Sequence, residues 1–239
     1  NNPSGQICEN LNDISQVAKK HNLLILSDEI YSELSFKDNY ESISNFCPEK
    51  TIISTGLSKW CGAGGWRLGY FILPESLKKI TDTLNILASE TFSSVSAPIQ
   101  YAAIQAYEGD HSEYIKSSKN ILKAVGTYVY ENLNSNKILI NKPEGGFYLM
   151  PELITNKYNT SSEMCNDILE DTGVALLPGS DFGFGKKKMI VRLSFTDFNG
   201  RNFMQEYKKK HQIDIDLISK YAAKVVEGVD KLKKWSEKI

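Results

Sequence analysis

The stretch at residues 54–70, STGLSKWCGAGGWRLGY, constrains the fold more than any other part of the chain. A β-branched run at 51–55 leads into it, and a second strand pattern at 68–73 leaves it at once. Between them stand Lys59, four glycines (Gly62, Gly64, Gly65, Gly69) and Arg67, eight residues after the lysine. Packing explains a long lysine at a strand exit poorly. Glycines let backbone approach a ligand closely, and their N–H groups can cradle an anion. An amine and a guanidinium beside such a loop point to a bound phosphate and a reacting carbonyl; a solvated lysine in a glycine-rich turn is the plainer alternative.

The flanking pattern says what kind of sheet carries this turn. The opening Asn1-Asn2-Pro3-Ser4-Gly5 is a turn signal with no strand before it, which reads as a cut into a longer domain. Ile7, Leu11, Ile14, Val17 and Ala18 recur at helical spacing and stop near His21-Asn22. The apolar run 23–26 then predicts a buried parallel strand ending at Ser27-Asp28-Glu29-Ile30-Tyr31. Pro74 opens a helix with Leu77, Ile80, Leu84 and Leu87 on one stripe, and further helices are predicted at 97–107 and 112–133. Strands alternating with helices imply βαβ units and a mostly parallel sheet, whose ligands bind beyond the carboxyl ends of the strands. Asp28, Tyr31 and Lys59 all fall at such ends.

Beyond residue 111 the pattern changes to short strands (137–140, 147–150, 174–177, 189–195), a helix near 161–171, and one long amphipathic helix carrying Ile218, Tyr221, Ala222, Val225, Val229 and Leu232. The expectation is an α/β chain: the later part of a cofactor domain over 1–110, then a linking helix and a small α+β domain over 111–239. The basic runs 186–188 and 208–210 read as solvated loops.

Composition narrows the partners. A net charge of −1 favours neither nucleic acid nor a membrane surface, and no apolar run approaches the ~20 residues that span a bilayer. Four cysteines (Cys8, Cys47, Cys61, Cys165) stand without metal-ligand spacing, as expected of free thiols in the cytosol, and no metal site is expected. Only three of the 28 basic residues are arginine: Arg67, Arg192 and Arg201. A chain that uses lysine wherever a generic cation will do keeps arginine where a planar, bidentate fork is needed.

Two nucleotide-binding readings fail. The run into Asp28-Glu29 resembles a magnesium-binding strand, but the phosphate loop it requires is missing. At 179–188 a serine stands where the first glycine belongs and a lysine where the hydroxyl belongs. A dinucleotide fingerprint starting at Gly62 fails because Arg67 occupies its last glycine position.

Taken together, Asn2-Pro3-Ser4-Gly5, Asp28-x-x-Tyr31, Ser58-Lys59, Gly65-Trp66-Arg67-Leu68-Gly69 and Arg192-Leu193-Ser194-Phe195 resemble the fold-type-I pyridoxal phosphate enzymes, and among them the class I/II aminotransferases, in order and spacing. The resemblance covers nearly the whole chain. It implies pyridoxal 5'-phosphate as cofactor and a missing N-terminal part that supplies a phosphate-cradling turn and a stacking aromatic ring.

The roles that the resemblance implies make physical sense. Lys59 bonds the cofactor and later shuttles a proton; a free lysine, with a pKa of about 10.4, needs neighbours that lower it to do so. Asp28 sits against the pyridine nitrogen and keeps it protonated, its alternative being a helix N-cap. Tyr31 and Asn2 hydrogen-bond the phenolate oxygen, with a core-edge tyrosine and a turn asparagine as alternatives. Arg67 holds the phosphate with a hydroxyl from Ser54, Thr55 or Ser58, because Gly56 stands where many relatives carry serine. Arg192, with Asn2, grips the substrate carboxylate; a surface arginine on an edge strand is its alternative. Arg201 reads as structural. Gly145-Gly146-Phe147-Tyr148 and 178–183 resemble loops near the substrate entrance and are not assigned to catalysis.

The function this implies is an aminotransferase moving an amino group between an L-amino acid and a 2-oxo acid, cytoplasmic and homodimeric when whole, and inactive as this chain alone. Alternatives are a same-fold lyase or acyl-transferring enzyme, and the ligand-sensing module of a transcription regulator.

Overall fold

The computed structural model describes residues 1–38 and 40–239. The chain forms two compact units. The first is Cys8–Ile115; the second joins Asn1–Ile7 to Lys116–Ile239. Neither limit falls at 110, the boundary expected from sequence. The divide lies within a single long helix, and the first seven residues belong with the later unit.

In the first unit, helix α1 (Leu11–Lys20) ends in a backbone-closed stop. Asn22 takes a left-handed φ of 54°, its N–H bonds Lys19 O at 3.3 Å, and Leu23 N–H reaches back to Ala18 O at 2.8 Å. This paired closure is what an asparagine just past a helix end allows. It commits Leu23 to the helix terminus, so strand β1 forms at Ile25–Asp28 and not at 23–26. Strands β2 (Thr51–Gly56) and β3 (Gly69–Ile72) complete a three-stranded sheet in the order β1-β2-β3. β1 and β2 are parallel, with Asp28 opposite Ser54. β2 and β3 are antiparallel, with Gly56 opposite Gly69, because the segment between them is a turn without the helical crossover a parallel return needs.

Glu75–Ile80 is a 3-10 turn leading to α2 (Thr81–Phe92), so the helix expected from Pro74 starts later. Helix α3 spans Ala97–Glu108. One buried cluster here is Leu57, Trp60, Leu68 and Ala103, and Ala18, Leu34, Phe36, Ile43 and Cys47 are buried apart from it. The apolar strand and helix residues expected inside lie open instead, with Leu24 56%, Leu26 66%, Phe71 55% and Leu87 57% exposed.

Helix α4 (Ser112–Leu133) runs as the sequence predicts. The second unit then builds two small antiparallel sheets. One pairs β4 (Ile138–Leu139) with β6 (Glu152–Leu153). The other has the order β5-β8-β7, from β5 (Tyr148–Leu149), β7 (Leu177–Pro178) and β8 (Val191–Ser194). Helix α5 (Ser161–Thr172) starts at Thr160, whose hydroxyl accepts from Glu163 N–H at 3.1 Å.

Two sequence expectations are corrected here. Residues 208–210 are not a loop but the last turn of α6 (Gly200–Lys210), where cations face the negative end of the helix dipole. The single long terminal helix is two, α7 (Ile215–Tyr221) and α8 (Ala223–Ser236), parted at Ala222 with φ −117° and ψ 35°. The apolar spacing runs unbroken through that bend, so periodicity could not reveal it.

The core of this unit is extensive. Val125, Val129, Leu149, Met164, Ile168, Val191, Phe195 and Phe203 are fully enclosed. Burial, aided by the nearby Asp181 charge, pushes the Cys165 thiol up to about 11, so its reactive thiolate is scarce at pH 8 and grows only as the pH climbs toward that value. In the folded chain at pH 8, iodoacetamide should label the exposed Cys8 and leave Cys165 unmodified. Equal labelling of the two by peptide mass mapping would contradict this burial.

Candidate active site

The parallel pairing of β1 and β2 sends both strands out at one sheet edge, and the candidate residues of the first unit leave from it. Asp28 is the last residue of β1, exposed, with Oδ1 accepting from Ile30 N–H at 3.2 Å. This turn contact, and not the helix N-cap weighed from sequence, is the local role of its carboxylate, since the next 3-10 turn is entered from Tyr31. Lys59 follows β2 by three residues, half-buried, with Nζ 5.5 Å from the centroid of the Tyr31 ring. A cation held at a ring face is favoured electrostatically.

What fixes Lys59 is its neighbour. Trp60 is 7% exposed and packs with Leu57 and Leu68. Its ring lies 5.8 Å from Tyr107 on α3, and Tyr107 meets Tyr70 edge-on at 5.4 Å. Leu57 N–H bonds Leu68 O at 3.2 Å, and Ala63 N–H bonds Leu57 O at 3.3 Å. The turn is therefore built, not slack.

The glycine-rich segment leads to a 3-10 turn, Gly64–Trp66, and then to Arg67 in the left-handed region at φ 57°. Arg67 is exposed and Nη1 donates to Gly64 O at 2.7 Å. The backbone at Gly62 and Gly65 has open space on its Cα side. Of the three candidate hydroxyls, Ser54 and Thr55 lie within β2 and Ser58 lies in the turn.

Gly56 has a physical reason. A Cβ there would stand 2.5 Å from Leu68 O and 2.8 Å from the Gly69 Cα. The close approach of β2 to the start of β3 leaves no room for a side chain.

Glu29, weighed in the sequence only as part of a magnesium-binding pattern, supports the strand end from inside. It is 8% exposed and accepts from Ser42 Oγ at 2.6 Å and Ser27 Oγ at 3.1 Å. Burial first, then Glu29, raises the Tyr40 phenol well above its ordinary pKa. Glu29 thus ties the segment around 40–44 to the strand end that carries Asp28. Strand alternation was the available signal: next to an outward Asp28, residue 29 turns inward.

The second unit holds the other two candidates. Arg192 lies on the central strand β8, and Nη1 donates to Asn2 Oδ1 at 2.8 Å. Asn2 is brought there by the packing of the first residues. Gly5, at φ 68°, sits so close to the chain that a Cβ would stand 2.4 Å from Tyr148 O. Its carbonyl accepts from Glu144 N–H at 2.9 Å and Gly145 N–H at 3.1 Å, while Ile7 N–H donates to Glu144 Oε2 at 2.8 Å. The surface-arginine alternative does not hold, since Arg192 is half-buried on a central strand. Arg201 lies in the exposed first turn of α6.

A lysine amine, a carboxylate, a phenol, hydroxyls and a guanidinium at one sheet edge form a donor set that fits pyridoxal phosphate. They offer a carbonyl-reactive amine, a partner for a ring nitrogen, and donors for a phenolate and a phosphate.

The chain belongs to the class I and II aminotransferases, whose family description matches residues 1–203. It is 35% identical over 198 residues to a probable N-acetyl-LL-diaminopimelate aminotransferase of Bacillus subtilis, covering 82% of this chain and 49% of that one. With an aspartate aminotransferase of Thermotoga maritima the identity is 34% over 200 residues, again 82% and 49%. The crystal structure of an aspartate aminotransferase from Thermotoga maritima superposes with a TM-score of 0.74 at 28% identity, covering 98% of this chain and 54% of that one. An alanine aminotransferase from Pyrococcus furiosus gives 0.79 at 27%, covering 100% and 56%. The chain thus spans about half the length of the relatives it matches. The family's cofactor is pyridoxal phosphate, and the fold is that of its α/β, fold-type-I enzymes.

Gly56→Ser should destabilise the first unit by about 1–3 kcal/mol through overpacking against Leu68 and Gly69. A denaturant midpoint equal to that of the unmodified chain would show that the strand junction has room to spare.

Proposed function

We propose that this chain forms the later part of a pyridoxal phosphate-dependent aminotransferase that moves an amino group between an L-amino acid and a 2-oxo acid, as a cytosolic homodimer. The observation that carries the reading is the Lys59 amine against Tyr31 at the same sheet edge as the Asp28 carboxylate. The family match over residues 1–203 supports it.

When bound, the cofactor supplies an electron sink for the bonds at the substrate's Cα. Each role left to the protein has a residue suited to it. Asp28, an anion at the strand end, holds a proton on the ring nitrogen. Tyr31 donates to the phenolate oxygen. Arg67 and one of Ser54, Thr55 or Ser58 hold the phosphate. Lys59 Nζ takes the proton from the substrate's Cα and gives it up again, which requires a mobile amine kept close to its partners. Arg192 holds the substrate carboxylate as a bidentate pair, with Asn2 fixing one of its donors.

Two experiments test this on a polypeptide of full family length. Borohydride treatment in the presence of pyridoxal 5'-phosphate should leave the cofactor fixed on the Lys59 peptide; an adduct on another lysine would overturn the assignment. Arg192→Lys should cost about 2–4 kcal/mol of the transition-state stabilisation read from kcat/KM while cofactor affinity stays, since one ammonium cannot replace a planar fork. Unchanged kinetics would mean the carboxylate is held elsewhere.

A further inference from the structure

Arg192 lies close to two aromatic rings. Its guanidinium carbon is 4.3 Å from the Tyr148 ring centroid and 4.7 Å from that of Phe182. The rings come from opposite sides of β8. Tyr148 is on β5, directly opposite Ser194 and so diagonal to Arg192 on the same sheet face. Phe182 ends the 3-10 turn Gly179–Phe182 that follows β7, and β7 pairs Leu177 with Arg192. That turn is pinned to the β8 side: Gly179 N–H donates to Ile190 O at 2.7 Å, and Phe184 N–H closes back on Gly179 O at 3.2 Å. On the other side, the Gly5 contact that seats Asn2 is made to the backbone of Tyr148 itself. Asn2, Tyr148, Phe182 and Arg192 are thus held by one connected set of strand pairings and backbone contacts, all within the second unit.

We propose that Tyr148 and Phe182 are positioning residues that clamp the Arg192 guanidinium and set the plane of its fork. The inference rests on the reading of Arg192 as the carboxylate holder. A free arginine side chain samples many rotamers, and a bidentate pair needs both N–H groups in the plane of the carboxylate. Ring faces attract a guanidinium through their quadrupole and leave its N–H edge free for in-plane acceptors. Asn2 takes one donor in that plane. The remaining donors are presented, pre-oriented, to a planar anion. An aliphatic residue in place of either ring would cover similar area but offer no flat face.

The test is phenylglyoxal modification of the 239-residue chain, followed by peptide mass mapping, with the exposed Arg201 as internal reference. Tyr148→Leu and Phe182→Leu should each speed modification of Arg192 by about three- to tenfold relative to Arg201. Tyr148→Phe and Phe182→Tyr, which keep the ring, should stay within about twofold of the unmodified chain. If a leucine variant loses its native circular dichroism, methionine at the same position replaces it. Leucine variants that fold yet leave the rate unchanged overturn the clamp, and so do ring-keeping variants that rise as much as the leucine ones. Adding 2-oxoglutarate to a polypeptide of full family length, treated in the same way, separates the two claims. Ring loss that speeds modification, with no protection by the oxo acid, upholds the clamp and defeats the carboxylate role. Protection without any effect of the ring variants defeats the clamp and leaves the carboxylate role standing.

Discussion

The parallel pairing of β1 with β2 is the constraint on which the first unit's chemistry depends. Its register, from Ile25 opposite Thr51 to Asp28 opposite Ser54, makes both strands end at one edge. The candidate site residues of this unit lie within a few residues of that edge: Asp28 at the end of one strand with Tyr31 just beyond it, and Ser58 and Lys59 after the other. A register slip by one residue would turn every alternate side chain to the other face. Glu29 N–H bonding Ser54 O at 2.8 Å carries the pairing one step past Asp28, and the buried Glu29 side chain holds the following segment in place.

The second unit solves a different problem, the orientation of a single guanidinium. Here the decisive contacts are backbone contacts. Gly5 against the Tyr148 carbonyl brings Asn2 in, and Gly179 against Ile190 brings Phe182 in. Neither approach leaves room for a Cβ, so the arrangement of a side chain at residue 192 is written in residues that have no side chain.

The two units differ in how they hold themselves together. The second closes around more than twenty buried apolar residues. The first has four in its cluster, and leaves Leu26, Phe71 and Ile72 exposed on a sheet with β1 and β3 at its edges. Apolar surface of that kind is costly in water.

The sequence by itself determined the family, the strand ends bearing Asp28 and Lys59, and the helix at Ser112–Leu133, because each is signalled by local chemistry: a glycine-rich turn after an apolar strand, a lysine at its exit, an unbroken helical period. Linked motifs also singled out Arg192 and Asn2 as candidates, though not that they bond each other 190 residues apart. Only the tertiary structure decided the rest. Leu23 left its apolar run because a helix stop claimed its N–H; the terminal helix bent at Ala222 while its periodicity ran on. The first seven residues joined the later unit through Gly5, and two aromatics, Tyr148 on β5 and Phe182 in a 3-10 turn, came to flank Arg192. Each of these turns on a contact between segments distant in the chain or on a backbone closure. Local spacing cannot encode such contacts, because the partner's position is fixed only when the sheets have paired.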